Sequence, residues 1–284
     1  MAQLLKTILQ GVLPPEDICK LYSAFDIVGS IIIIKIPDSL NSKKQIIADT
    51  ILMNIKSAKS VFVQTSAVQG DYRIRALEHL AGDNSVITEY KEHGCRFIVD
   101  VTKTYFSPRL STERMRVSSM ITDNEIITNM FAGVGTYSIL IAKSNKSCRV
   151  YSIDSNPVAN ELALINAKLN KVQERVVPIC GDAREVIIKQ LKGTSTRVLM
   201  PLPEKAKEFV DFAVLALKEN RGVIHYFAHI KATSKKLAVD NAALDVKCAF
   251  VNHNYKIAST RVVREVGPHL YQTVSDIIVA NECS

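Results

Sequence analysis

No two of the six cysteines (Cys19, Cys95, Cys148, Cys180, Cys248, Cys283) form a Cys-x-x-Cys pair, and none has a histidine set beside it. Zinc-site spacing is therefore missing, and no metal is expected. Scattered single cysteines fit reduced, mostly buried thiols in a cytoplasmic protein. Long apolar runs are missing too. Ile31–Ile34 is strand-sized, far short of the roughly 18 apolar residues of a membrane span. The apolar start, residues 1–13, runs into Pro14-Pro15 and Glu16-Asp17 with no small-residue cleavage site. Internal repeats and low-complexity segments are also absent. These absences exclude a membrane helix and a disulfide scaffold, and predict a cytoplasmic protein; a monomer is expected separately.

What is present bounds the class. The chain has 284 residues, 47% of them hydrophobic, enough for one large core or two smaller ones. A net charge of +8 favours a polyanionic partner, with solubility as the competing explanation. Lysines 43, 44, 56, 59, 231, 235 and 236 are candidates for phosphate attraction.

The first part mixes elements without regular alternation. Helical spacing is expected at Pro15–Tyr22 and Lys43–Lys56, the latter burying Ile46, Ile47, Ile51 and Ile55. Strands are expected at Phe25–Val28, Ser30–Ile36 and Ser60–Thr65, with a hairpin turning at Glu92-His93-Gly94. From about residue 112 strands and helices alternate. Strands are expected at Glu125–Asn129, Arg149–Ile153, Val176–Cys180, Val198–Met200, Gly222–Phe227 and Asp276–Val279. The helices between them are expected at Tyr137–Lys143, Pro157–Asn170, Ala183–Gln190 and Lys205–Leu217. The prediction is a small α+β domain over residues 1–110, followed by an α/β domain with a doubly wound sheet over 111–284.

One constellation carries chemistry. Phe131-Ala-Gly-Val-Gly135 follows a strand, and Tyr151-Ser-Ile-Asp-Ser-Asn-Pro157 places a carboxylate about twenty residues later. Gly133 and Gly135 let backbone approach a ligand, and Asp154 suits two ribose hydroxyls, so the pattern fits an adenosine-containing cofactor. Asp182 and the backbone of Ala183, after the third strand, suit an adenine edge; a simple helix N-cap is the alternative. Pro201-Leu-Pro203 follows the fourth strand at the carboxyl edge, where such sheets bind ligands.

With these landmarks the chain resembles the archaeal and eukaryotic tRNA (guanine-37-N1)-methyltransferases and their relatives in wyosine biosynthesis, enzymes with a class I (Rossmann-like) methyltransferase fold. The resemblance runs through Ser23-Ala-Phe-Asp-Ile-Val-Gly29, Asp71-Tyr-Arg-Ile-Arg-Ala-Leu-Glu-His-Leu-Ala-Gly82 and Tyr105-Phe-Ser-Pro-Arg-Leu-Ser-Thr-Glu-Arg114. It continues through Met130–Gly135, Pro201-Leu-Pro203 and Arg261-Val-Val-Arg264. It implies S-adenosyl-L-methionine as cofactor and the tRNA anticodon loop as partner. It also implies Glu113 as general base and Arg73 as the cation at guanine O6. Arg114, Phe131, Gly133, Gly135, Asp154, Ser155, Asp182, Ala183 and Pro201 would hold the cofactor; Tyr105, Arg109 and Pro203 would meet the substrate. Read without the resemblance, the Arg/Glu stretch around Glu113 reads first as a surface salt-bridge cluster, and Tyr105 equally as a core residue.

The chemistry explains the residue types. Guanine N1 carries a proton that must leave before it can attack a methyl carbon, and the charge then moves to O6. Three positions depart from the family: Asn129 where Asp is common, Thr136 where Pro is common, and Pro201 where guanine-methylating members usually have Asn. Pro-Leu-Pro resembles an archaeal bifunctional subgroup that also methylates C7 of 4-demethylwyosine, giving isowyosine. The family's further N-terminal domain is not seen in this chain, which bears on tRNA checking and not on the chemistry. The competing functions are an aminocarboxypropyl transferase of the same pathway, whose relatives have Ser-Pro-Gly-Asn where Ser107-Pro-Arg-Leu110 stands, and a noncatalytic tRNA-binding protein.

Overall fold

A computed structural model describes residues 2–22, 25–66, 70 and 72–280, so the expectations at Ser23, Ala24, Asp71 and Cys283 lie outside the described residues. The chain divides into two compact units, Met1–Arg109 and Leu110–Ser284.

The first unit begins with helices α1 (Ala2–Ile8) and α2 (Pro15–Lys20), the latter with Pro15 in its first turn, where a missing N–H costs nothing. Strands β1 (Asp26–Val28) and β2 (Ile31–Ile34) form a hairpin around Gly29, whose φ is +58°. A Cβ there would stand 2.3 Å from the carbonyl oxygen of Glu89, so only glycine fits. All four residues of β2 are buried, as an unbroken apolar run predicts. Helix α3 (Lys44–Asn54) links β2 to β3 (Ser60–Gln64), which pairs in parallel with it; β4 (Leu77–Gly82) adds antiparallel at the edge. Ile47 and Ile51 of α3 are fully buried with Ile32, Ile34 and Val61, but Ile46 is exposed, correcting the expected apolar face. Strand β4 was not expected: Leu-Glu-His-Leu-Ala-Gly is charged because an edge strand turns one side to water. Hairpin β5 (Ile87–Glu92) and β6 (Cys95–Asp100) turns at His93 and Gly94, both with positive φ, as a two-residue turn between right-twisted strands demands.

The second unit opens with α4 (Ser111–Ser119), then alternates. Its elements are β7 (Ile126–Asn129), α5 (Thr136–Ser144), β8 (Arg149–Asp154), α6 (Pro157–Leu169), β9 (Val176–Cys180) and α7 (Ala183–Val186), which runs on through a wider-wound turn to Leu191. After these come β10 (Arg197–Met200), α8 (Val210–Ala216), β11 (Gly222–Lys231), α9 (Lys235–Ala249), β12 (Tyr255–Gly267) and β13 (Leu270–Val279). The seven strands lie in the order β12-β13-β11-β10-β7-β8-β9. From β9 to β11 all neighbours are parallel; β13 and then β12 add antiparallel. Helix α9, strand β12 and the first half of β13 were not expected from the sequence. The chain turns back between β7 and β10, and at such a switch point a crevice opens outside the carboxyl ends of the strands. Met130, Ile153, Val198, Met200 and Ile224 fill the core behind that edge.

Among the described residues no helix is long and apolar enough to cross a membrane, and no His/Cys/Asp/Glu group could hold a metal ion. Cys95 and Cys148 are buried, whereas Cys19, Cys180 and Cys248 are exposed, correcting the expectation of mostly buried thiols.

Candidate active site

The carboxyl edge of the second sheet carries most of the expected cofactor residues. Gly133 and Gly135 hold left-handed φ values of +55° and +86°, and Gly135 starts α5, where a Cβ would press Ile139 Cδ1 at 3.1 Å and Ala163 Cβ at 3.3 Å. Gly133 N–H donates to Asp154 Oδ2 at 2.6 Å, and Asn156 N–H donates to Oδ1 at 2.9 Å. Burial pushes the Asp154 carboxyl up, against those two donors. Each oxygen takes only one described donor and the residue is half-buried, so lone pairs remain for two hydroxyls. That acceptor set fits the ribose of S-adenosylmethionine. Ser155 beside it is exposed. The Asn156 side chain caps α6 by accepting from Val158 N at 3.0 Å.

Beyond β9, Asp182 caps α7 by accepting from Arg184 N at 2.8 Å. The Arg184 side chain also grips both oxygens, at 3.0 and 2.7 Å, and holds the carboxyl below its usual range. The cap is compatible with a ligand contact, because a half-exposed ion pair is worth about 0–1 kcal/mol and yields readily. Ala183 is buried under this turn. Phe131 packs edge-on against Phe209 (ring centroids 4.9 Å apart), and the Arg184 guanidinium lies 5.0 Å over the same Phe209 ring. Pro201, half-buried, and Pro203, buried, follow β10. Asn129, at the end of β7, is fully buried; its Nδ2 donates to Ser138 Oγ at 3.1 Å, and its Oδ1 has no partner.

Helix α4 buries Glu113, Arg114, Val117 and Ser118 on one face. Glu113 is 3% exposed, which removes the surface-cluster alternative for this residue. Arg116 grips its carboxylate from Nε and Nη2 at 2.7–3.1 Å, and Arg261 Nη1 stands 3.9 Å away. Arg116 also binds Asp276 on β13 at 2.7 and 3.0 Å. His225 Nδ1 lies 2.5 Å from Asp276, and Arg197 stands between His225 at 2.9 Å and Glu125 at 2.6 and 2.9 Å. Sequence reasoning missed this buried line. Its members come from α4, β10, β11, β13 and the residue before β7, and nothing in their spacing announces them.

In the first unit, the Arg73 guanidinium lies 3.9 Å over the Tyr105 ring, and Arg73 has a strained φ of +54°. Arg109, expected to meet RNA phosphate, donates to Asp26 at 2.9 Å, and Arg75 takes the other oxygen at 3.0 Å. Of the lysines considered for phosphate, Lys43 pairs with Asp17, and Lys44 with Glu78 at 2.7 Å.

Residues 88–278 match the model of the TRM5/TYW2 methyltransferase domain, and residues 5–85 the TYW2 N-terminal domain. The chain is 44% identical over 214 residues to the tRNA (guanine(37)-N(1))-methyltransferase Trm5b of Pyrococcus abyssi, covering 75% of this chain and 62% of that protein. To Trm5b of Methanocaldococcus jannaschii it is 38% identical over 248 residues, covering 87% and 68%. The chain thus spans about two thirds of the length of these relatives. To the tRNA 4-demethylwyosine(37)-methyltransferase Taw21 of Saccharolobus solfataricus it is 36% identical, covering 96% of this chain and 99% of that one. Among solved structures, aTrm5 in complex with tRNALeu superposes with a TM-score of 0.83 at 33% identity, covering 97% of this chain and 78% of that chain. M. jannaschii TYW2 in complex with AdoMet superposes with a TM-score of 0.68 at 26% identity, covering 91% and 100%.

Proposed function

This chain belongs to the TRM5/TYW2 methyltransferase family, and from that premise we propose that it methylates N1 of guanosine 37 in the tRNA anticodon loop, with S-adenosyl-L-methionine as donor. The observation that carries the reading is a buried carboxylate, Glu113, in the same unit as the Gly133–Asp154 cradle. The cofactor supplies a methyl carbon on a cationic sulfur. Asp154 would hold the ribose hydroxyls, and the Gly133–Gly135 turn would seat the chain that bears the sulfur. Arg114, Phe131, Ser155, Ala183 and Pro201 complete the assigned cofactor set, with Asp182 at the adenine edge.

Glu113 would take the proton from N1 of guanine, and the N1 lone pair would then bond to the methyl carbon as the carbon–sulfur bond breaks and its electron pair leaves with the sulfur as a neutral thioether. Excess charge arrives on O6, for which Arg73 is the assigned cation on the resemblance of residues 71–82. Tyr105, Arg109 and Pro203 are assigned to the substrate on the same footing. Swinging the base out of the anticodon stack costs a few kcal/mol, which such contacts offset. The protein is proposed to act as a cytoplasmic monomer.

Pro201-Leu-Pro203 and the end-to-end match with Taw21 favour a second substrate, 4-demethylwyosine, methylated at C7. Replacing an amide by proline removes a donor and an acceptor beside the base, which relaxes the polar demand on a bulkier tricycle. The test is mass spectrometry of nucleosides after reaction with tRNA bearing guanosine 37 or 4-demethylwyosine. A gain of one methyl on guanosine supports the main reading. A gain of an aminocarboxypropyl group would replace it with the rival transfer, and no gain on either tRNA would leave a binding protein.

A further inference from the structure

Arg116 serves two carboxylates at once. Its Nη2 donates both to Glu113 Oε1 at 2.7 Å and to Asp276 Oδ1 at 3.0 Å, while Nη1 takes Asp276 Oδ2 at 2.7 Å. Asp276 also accepts from Ser259 Oγ at 2.7 Å. His225 Nε2 faces Arg197 Nη1 at 2.9 Å, and a guanidinium has only donors, so Nε2 accepts and the ring proton sits on Nδ1. That proton is donated to Asp276 at 2.5 Å, and His225 is neutral, as its complete burial also favours.

The charges along this line do not cancel. Glu113, Asp276 and Glu125 are three carboxylates facing two guanidiniums, the half-buried Arg116 and the buried Arg197. Arg114 is buried on the same helix, and Arg261 reaches Glu113 from β12 at 3.9 Å with its side chain 45% exposed, where water screens it. Arg116 therefore aims Glu113 while its remaining donors are engaged by Asp276. A carboxylate with a guanidinium to itself is a poor base, whereas one that shares keeps more of its affinity for a proton.

We infer that Asp276 is a positioning residue for methyl transfer: by competing with Glu113 for Arg116 it fixes that guanidinium and sets how readily Glu113 takes up a proton. The inference rests on the proposed role of Glu113 as base.

The test is single-turnover methylation of tRNA by the full chain at saturating S-adenosylmethionine, from about pH 5.5 to about pH 9, with melting temperature and cofactor affinity measured alongside. Asp276→Asn hands Arg116 to Glu113, so the acid limb of the rate profile moves about one unit lower, the plateau falls about 10-fold, and KM for tRNA stays within about 2-fold. Ser259→Ala keeps every charge but leaves Asp276 pulling harder on Arg116, so its limb moves the other way by a fraction of a unit. An unmoved limb in both variants overturns the inference and makes Asp276 structural only. Where Asp276→Asn does not fold, Ser259→Ala decides alone. Glu113→Gln in the same series separates the two levels: full turnover there sinks the base assignment itself, whereas lost turnover with unmoved limbs sinks only the role of Asp276.

Discussion

The amide of Gly133 donates to Oδ2 of Asp154 at 2.6 Å, tying the turn after one strand to the carboxylate at the tip of its neighbour. The bond spans 21 residues of sequence and fixes the turn after β7 against the tip of β8. Asp154→Ala removes both the anchor for that turn and the acceptors proposed for ribose. Calorimetry with S-adenosylmethionine should show affinity reduced roughly 10- to 100-fold, the worth of one or two hydrogen bonds to a charged group. Unchanged affinity would remove Asp154 from the site.

Glu113→Ala should lower the methyl-transfer rate by about 10²- to 10⁴-fold, the usual contribution of a general base, with cofactor affinity nearly unchanged. The same change leaves Arg116 with a single carboxylate partner in a buried setting. A drop in melting temperature is expected beside the loss of rate, since unpairing buried ions is costly.

Acid should unfold the second unit in two stages. Burial holds the His225 pKa below its ordinary value, so its stabilising contribution is complete above the unfolded value of about 6.5 and is lost as pH falls below it. Asp276 and Glu125 are held below the carboxylate range, because His225 and Arg116 in one case and Arg197 in the other outweigh the upward push of burial. Their contributions are complete above the unfolded values of about 4 and are lost as pH falls through the lowered folded values. Melting temperature measured against pH should fall below about pH 6.5 and again below about pH 4, and His225→Asn should flatten the first step. A flat curve down to about pH 4 would contradict a neutral, buried His225.

Arg109 is committed to Asp26 in the free protein, so a role on RNA phosphate requires that bond to be exchanged. Such exchange is inexpensive for a half-exposed pair. Arg109→Ala should then reduce the slope of log affinity for tRNA against log salt by about 0.7–0.9, one phosphate contact. An unchanged slope assigns Arg109 to holding Asp26 and nothing more.

Pro201→Asn should raise turnover on unmodified guanosine 37 relative to 4-demethylwyosine, by restoring a donor and an acceptor at the turn after β10. Product masses from a mixture of the two tRNAs check it. An unchanged ratio would take Pro201 out of substrate choice.

Elements with strong local signals were legible in the sequence. The Gly133–Gly135 turn, the Asn156-Pro157 helix start and the His93-Gly94 hairpin each owe their shape to residues a few positions apart. Strands β4 and β12 were not legible, since edge strands are solvated on one side and carry charge where a central strand carries apolar residues. Helix α4 was read as a charged stretch because Glu113, Arg114 and Arg116 look like a solvated face, whereas the fold buries Glu113 and Arg114.

The sequence by itself determined the alternation of strands and helices from β7 to β11, the glycine turn and the carboxylate that suit an adenosyl cofactor, because those depend on backbone conformation and short spacing. Only the tertiary structure decided that Glu113 lies in the protein interior and shares Arg116 with Asp276, 160 residues further on. Charge pairing inside a protein depends on which strands the sheet order brings side by side, and that order places β13 next to β11 and β11 next to β10. Low dielectric then makes those pairings strong, and no local pattern of residues encodes them.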